Sequence, residues 1–121
     1  MSKHNDLGKK GEDAACNYLL KENYEILKRN WRYGKYELDI IARNDEYIVF
    51  VEVKTRSSDQ WGNPEDAVSR TKMKRMVEAA DSYLKQNDVD MDVRFDIISA
   101  IWNGEYFEID HIDDAFFAPV N

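Results

Sequence analysis

Glu52 and Lys54 stand two residues apart near the end of the apolar run Tyr47 to Arg56, and Asp39 precedes them. On a strand, side chains two apart share a face, so Glu52 and Lys54 point one way while Val49, Val51 and Val53 line the other. An acid and an amine therefore emerge together from the end of a buried strand. Burying charge is costly unless it is paired or bound to a metal, which makes this placement a candidate site.

The hairpin that would carry these residues can be read from the sequence. Tyr36 to Arg43 and Glu46 to Arg56 both have strand character, and Asn44-Asp45 supplies turn chemistry between them. A two-residue loop sets Arg43 against Glu46, Asp39 against Phe50 and Glu37 against Glu52. Asp39 is then diagonal to Glu52, at roughly 7 Å, and Glu37, Asp39 and Glu52 share one face. Two carboxylates about 4 Å apart repel by about 4 kcal/mol at an effective dielectric of 20, so this face needs compensation. Lys54 supplies one positive charge, and a hard divalent ion supplies two. Oxygen donors without Cys or His favour magnesium, manganese or calcium over zinc. Glu12, on a preceding helix, is a candidate further ligand, directly or through water. A plainer alternative makes Glu37 and Glu52 surface acids and Lys54 a salt-bridging strand cap.

The remaining elements follow from periodicity. Leu7 to Glu22 reads as a helix with Leu7, Gly11, Ala14, Ala15, Tyr18 and Leu19 on one stripe, and Asn23 stops it. Tyr24 to Arg32 is a first strand. Ser57 to Asn63 reads as a loop, after which Asn63 as N-cap and Pro64 at the first position open a helix running to about Gln86. Its buried stripe is Val68, Met73, Met76, Val77, Ala80, Tyr83 and Leu84. Strands Val93 to Trp102 and Tyr106 to Ile109 follow, joined by Asn103-Gly104. The order αβββαββ predicts an α/β fold: a mixed central sheet flanked by helices, with a crossover making the fourth strand parallel to a neighbour.

At 121 residues and 43% hydrophobic content, residues 1–121 are expected to form a single domain. No apolar run approaches eighteen residues and Met1 to Lys10 is polar, which predicts a cytoplasmic protein with no membrane partner. Cys16 falls at an apolar helix position and reads as a small core residue. The net charge is −7, unevenly spread. Residues 1–86 carry 16 Lys/Arg against 15 Asp/Glu, a net of plus one, whereas residues 87–121 carry 1 against 9, a net of minus eight. Acidity is thus a property of the C-terminal segment, and a local phosphate-binding surface is compatible with the total. Candidates for such a surface are Arg56, Lys72 and Arg75 as backbone contacts and Trp61 as a base-stacking residue, with local packing the commoner role for a loop tryptophan. Trp31 and Trp102 read as sheet core or edge, His111 as part of a solvated acidic tail, and Phe116 and Phe117 as anchors for that tail.

Taken together, Gly8-x-x-Gly11-Glu12, Glu37-Leu38-Asp39, the block Phe50 to Arg56, Gly62-x-Pro64, Arg94-Phe95-Asp96 and Ala115-Phe116 resemble the bacterial YraN family (UPF0102) over nearly the whole chain. Tyr36 departs from that pattern, which usually has Gly there. The family looks like Holliday-junction resolvases with the restriction-endonuclease-like PD-(D/E)xK fold, whose motif is matched here by Asp39, Glu52 and Lys54. The resemblance implies Asp39 and Glu52 as metal ligands, joined by the Val53 carbonyl, and Lys54 as the group that orients water or stabilises charge. Glu12 matches the helical acid of resolvase-like members. The expected activity is magnesium- or manganese-dependent hydrolysis of phosphodiester bonds in DNA, branched or structured DNA included. The competing expectation is a non-catalytic nucleic-acid-binding or assembly module that keeps the fold. A homodimer through an apolar sheet edge and a protein partner for the acidic segment are further readings.

Overall fold

A computed structural model describes residues 3–58 and 69–116, with side chains from Asp6 onward. Helix α1 spans Lys3–Lys21, and strands β1 (Glu25–Tyr33), β2 (Tyr36–Arg43) and β3 (Tyr47–Ser57) follow. Helix α2 (Arg70–Gln86) then leads to β4 (Asp92–Trp102) and β5 (Phe107–Ile112). The five strands form one sheet in the order β1-β2-β3-β4-β5. β3 and β4 are parallel from Tyr47↔Asp92 to Ser57↔Trp102, and every other neighbouring pair is antiparallel. This is the mixed α/β arrangement αβββαββ that the sequence predicts, and it is consistent with a restriction-endonuclease-like fold.

Both faces of the sheet are covered, which is why β3 reads as an unbroken apolar run. On one face α1 packs Ala15, Cys16 and Leu19 against Ile40, Ala42, Val49, Val51 and Ile98. On the other, α2 packs Met76, Ala79, Ala80 and Tyr83 against Ile41, Ile48, Phe50 and Phe95. Cys16 is buried in the first of these clusters, and Trp31 meets Tyr83 edge-on at 5.4 Å beside the second. No helix among the described residues is long and apolar enough to cross a membrane.

Helices α1 and α2 stop in the same way. Asn23 (φ 68°) and Asp88 (φ 51°) take left-handed backbone just past the helix ends. The next N–H in each case reaches back to the carbonyl five residues earlier, Tyr24 to Leu19 at 2.9 Å and Val89 to Leu84 at 3.0 Å. That is a Schellman termination with Asn or Asp in the position that glycine usually fills.

Three sequence expectations need correction. Helix α2 begins at Arg70, because Ser69 is extended (φ −71°, ψ 163°) and its hydroxyl accepts the Lys72 N–H. Asn63, Pro64, Gly62, Trp61 and Val68 lie outside the described residues. Both hairpins are displaced, since each Asn closes the turn from its first position instead of sitting within the loop. Asn44 Oδ1 accepts the N–H groups of Glu46 and Tyr47, and Asn103 Oδ1 accepts those of Glu105 and Tyr106. An Asn side chain bonding two residues ahead mimics a backbone turn, and this chemistry outcompeted the Asn-as-loop-residue geometry. Finally, β5 runs on to Ile112 and takes His111 into the sheet opposite Ile98. Its Nε2 lies 2.6 Å from Asp96 Oδ2 and its Nδ1 3.0 Å from the Tyr18 hydroxyl, so it is no part of a solvated tail.

Candidate active site

The β2–β3 ladder pairs Arg43 with Ile48, Ala42 with Val49, Ile41 with Phe50 and Ile40 with Val51. One more step of that register sets Asp39 opposite Glu52, not diagonal to it, and removes Glu37 from its expected place against Glu52. A slip of two residues preserves the face on which each side chain emerges, so the two acids still meet. Beyond Ile40 and Val51 the strands part, and the Asp39 carboxylate replaces the missing backbone acceptor: its Oδ2 takes the Val53 N–H at 2.8 Å. Asp39 is thus fixed by the strand that carries its partner acid.

Glu52 is only 4% exposed. Its Oε2 lies 2.5 Å from Lys72 Nζ and 3.6 Å from Lys54 Nζ. Lys54 comes from the same strand two residues on, whereas Lys72 descends from the first turn of α2, where the Ser69 cap fixes its backbone. Burial, and then the charge of Glu52, push the Asp39 carboxyl up to about 7. Burial and then the neighbouring Lys72 ammonium lower the Lys54 pKa. Burial opposes the charge on Lys72 too, yet its hydrogen bond and attraction to Glu52 prevail and raise it. The Tyr36 hydroxyl is buried without a hydrogen-bond partner, and burial together with Glu52 and Asp39 drives its pKa well above the usual phenol range.

Two openings lead to this acid pair. A cleft of about 520 Å³ is walled by Arg32, Lys35, Tyr36 and Glu37 from the β1–β2 hairpin and by Ser69, Thr71, Lys72 and Arg75 from α2, with Asp39 and Glu52 between. A second, of about 390 Å³, is lined by Gly8, Glu12, Val53, Lys54 and Thr55 together with Asp39, Glu52 and Lys72. Glu12 reaches it because Gly11 lets α1 lie directly on β3. A Cβ built on Gly11 would fall 2.2 Å from Thr55 Oγ1, a distance no side chain tolerates.

The sequence candidates therefore divide. Asp39, Glu52, Val53, Lys54, Glu12 and Lys72 converge on the two openings. Glu12 is held through Oε1 by Arg29 at 3.1 Å and Asn30 at 2.9 Å. Glu37 stays on the cleft rim, paired with Arg32 at 2.9 Å. Arg75 is exposed on the α2 wall, and Arg56 lies farther along β3 opposite Ile101. Trp61 is outside the described residues. Sequence reasoning missed the partnership of Lys72 with Glu52 and the buried phenol of Tyr36. It also missed a second polar cluster, where fully buried Asp96 receives Arg94 Nε at 2.9 Å, Arg94 Nη2 at 2.8 Å and the Asp114 N–H at 3.0 Å. The signal for that cluster was an acid inside the apolar run Phe95 to Ile98.

The donor set suits a hard divalent cation, because the carboxylates of Asp39, Glu52 and Glu12 and the carbonyl of Val53 offer oxygen alone. Among the described residues no three Asp, Glu, His or Cys side chains are drawn together at ligand spacing. Lys72 pairs with Glu52, and Arg29 and Asn30 with Glu12.

Among the described residues a five-stranded mixed sheet lies between two helices, an α/β arrangement consistent with a restriction-endonuclease-like fold. The chain belongs to the family described as uncharacterised protein family UPF0102, whose model matches residues 11–100. It is 51% identical to a UPF0102 protein of Bacteroides thetaiotaomicron over 99% of both chains. It is 49% identical to one of Parabacteroides distasonis over 98% of each, and 45% to one of Phocaeicola vulgatus over 99% of each.

Proposed function

We propose that this protein is a metal-dependent nuclease that hydrolyses phosphodiester bonds in DNA, branched or structured DNA included. The observation that carries the reading is the meeting of Asp39 and Glu52 from adjacent strands beside Lys54, in a cleft whose walls bear Arg32, Lys35, Lys72 and Arg75. Magnesium or manganese held by Asp39, Glu52 and the Val53 carbonyl would supply Lewis acidity to the phosphate oxygens. The chain's own part is positional and electrostatic. The Val53 N–H fixes the Asp39 carboxylate, Lys54 orients the attacking water and offsets charge gathering on the phosphate, and the basic cleft walls hold the flanking backbone. Exposed Glu108, Asp110 and Asp113 would repel DNA, so the reading assigns the strand to the cleft and leaves β5 to a basic protein partner.

The test incubates purified protein with branched, flap, single-stranded and duplex DNA and with RNA, in magnesium or manganese, beside Glu52→Gln and Lys54→Met. Product from the wild type, reduced at least about a hundredfold in both variants, is the expected outcome. A non-catalytic binding or assembly module is the second reading, favoured by the ammonium clamp on Glu52. Salt-sensitive DNA binding that survives both substitutions, with no product from any substrate, would establish it in place of the first.

A further inference from the structure

Lys72 occupies one oxygen of the carboxylate that a cation bound to Glu52 would share. Its Nζ is 2.5 Å from Oε2 of a carboxylate that is itself almost wholly buried. Magnesium sits about 2.1 Å from its oxygen ligands, and calcium about 2.4 Å. An ammonium and a divalent ion on that one oxygen would lie within about 5 Å of each other, a strong repulsion in a site screened from water. The two therefore compete for Oε2. Lys72 has somewhere to go. Its side chain is 32% exposed, its stem is flexible, and it borders the cleft that also presents Thr71, Arg75, Arg32 and Lys35. Lys54, by contrast, belongs to β3 itself and stands farther from Oε2, at 3.6 Å.

We infer that Lys72 is an exchangeable active-site cation: it neutralises Glu52 until a substrate phosphate enters the cleft, then transfers to that phosphate and frees Glu52 for the divalent ion. The inference rests on the reading above that the acids bind metal and the cleft binds nucleic acid. It adds an order to that reading, because cation and phosphate then bind cooperatively and each strengthens the other by the same factor. In the absence of nucleic acid the acids remain clamped and take metal weakly. Lys72 thus contacts Glu52 in one state and substrate in the other, which distinguishes it from a residue that only shapes the cleft.

The test is calorimetric titration of calcium into the full chain without DNA, for wild type, Lys72→Met, Lys72→Arg and Arg75→Met. Arg75→Met removes one positive charge from the same cleft without touching Glu52, and so measures the general field. Lys72→Met is expected to bind calcium about tenfold tighter than wild type and clearly tighter than Arg75→Met, while Lys72→Arg, which keeps the clamp, gains nothing. The reciprocal measurement is anisotropy of a labelled short single strand at constant ionic strength, with and without calcium. Calcium is expected to tighten strand binding several-fold more in wild type than in Lys72→Met. Equal calcium affinity in Lys72→Met and Arg75→Met, or equal coupling in wild type and Lys72→Met, overturns the exchange while leaving the metal site intact. No calcium binding by any variant overturns the metal reading together with it. Neither readout depends on cleavage.

Discussion

Replacing Asp39 by asparagine tests whether the acid pair is as poorly compensated as its burial implies. Burial first, and then Glu52, hold the Asp39 carboxyl at about 7 in place of 3.8. Its ionised form is then about 4 kcal/mol less favourable in the folded chain than in the unfolded one. Movement of Lys54 and Lys72 around the pair lowers that ceiling, so about 2 to 4 kcal/mol is expected from Asp39→Asn at pH 8. The amide keeps an oxygen for the Val53 N–H, so the strand junction survives. The sign follows from proton linkage. The folded chain holds this proton more tightly than the unfolded chain, so the contribution is complete below pH 3.8 and is lost as pH rises through about 7. The advantage of the variant should therefore shrink to about 1 kcal/mol near pH 4.5. Urea unfolding in chelator at pH 4.5, 6 and 8 measures it, with fluorescence of Trp31 beside Tyr83 as a reporter of the core. At pH 8 the melting temperature should rise by roughly 8 °C or more. Divalent cation should then stabilise the wild type and not the variant. A variant less stable than wild type at pH 8, or a gain indifferent to pH, would refute the argument.

Gly11→Ala should cost about 1 to 3 kcal/mol in urea unfolding, because its Cβ would press on the Oγ1, Cγ2 and Cβ atoms of Thr55. Adding Thr55→Ala removes two of those three atoms and should restore part of the loss; a Gly11→Ala protein as stable as wild type would show that α1 can lift from β3. Asp96→Ala should cost about 3 to 5 kcal/mol at pH 7, since it strands the guanidinium of Arg94, whose side chain is 11% exposed. Burial alone would raise the Asp96 carboxyl, but the bonds from His111, Arg94 and the Asp114 N–H outweigh it and hold it below 3.8. Its contribution is accordingly full above that pH and fades as pH falls further, so the gap between wild type and variant should narrow in acid. A gap unchanged on acidification would contradict this assignment.

Periodicity carried most of the fold. The α1 and α2 stripes and the buried β3 run are local patterns, and local patterns survive folding. The site was half legible, for a reason that parity makes plain. Misplacing the Asn44 turn shifted the register by two, which kept Asp39 and Glu52 on one face but wrongly placed Glu37 against Glu52. Lys72 against Glu52 joins a helix turn to a strand, and no spacing along the chain encodes that contact. Ser69 interrupts the helix expected to run on to Gln86, and Asn63 and Pro64 lie outside the described residues. His111 was misjudged from its acidic neighbours. Continuing the alternation of half-buried Phe107 and Ile109 with exposed Glu108 and Asp110 would have brought it inward. The expected anchoring by Phe116 holds, since its ring stacks on Phe95 at 5.1 Å, while Phe117 lies outside the described residues.

The parallel pairing of β3 with β4 also governs how the protein can be made. Until a ribosome has delivered the residues from Asp92 onward, β3 has no neighbour on that side and presents Ile48, Val49, Phe50 and Val51 as an unguarded edge. An apolar, uncharged edge is a template for pairing with another nascent chain, and non-local parallel contacts form slowly. The strand that bears Glu52 is therefore also the segment most prone to misassembly during synthesis, and rapid overproduction should divert the chain into aggregates through it.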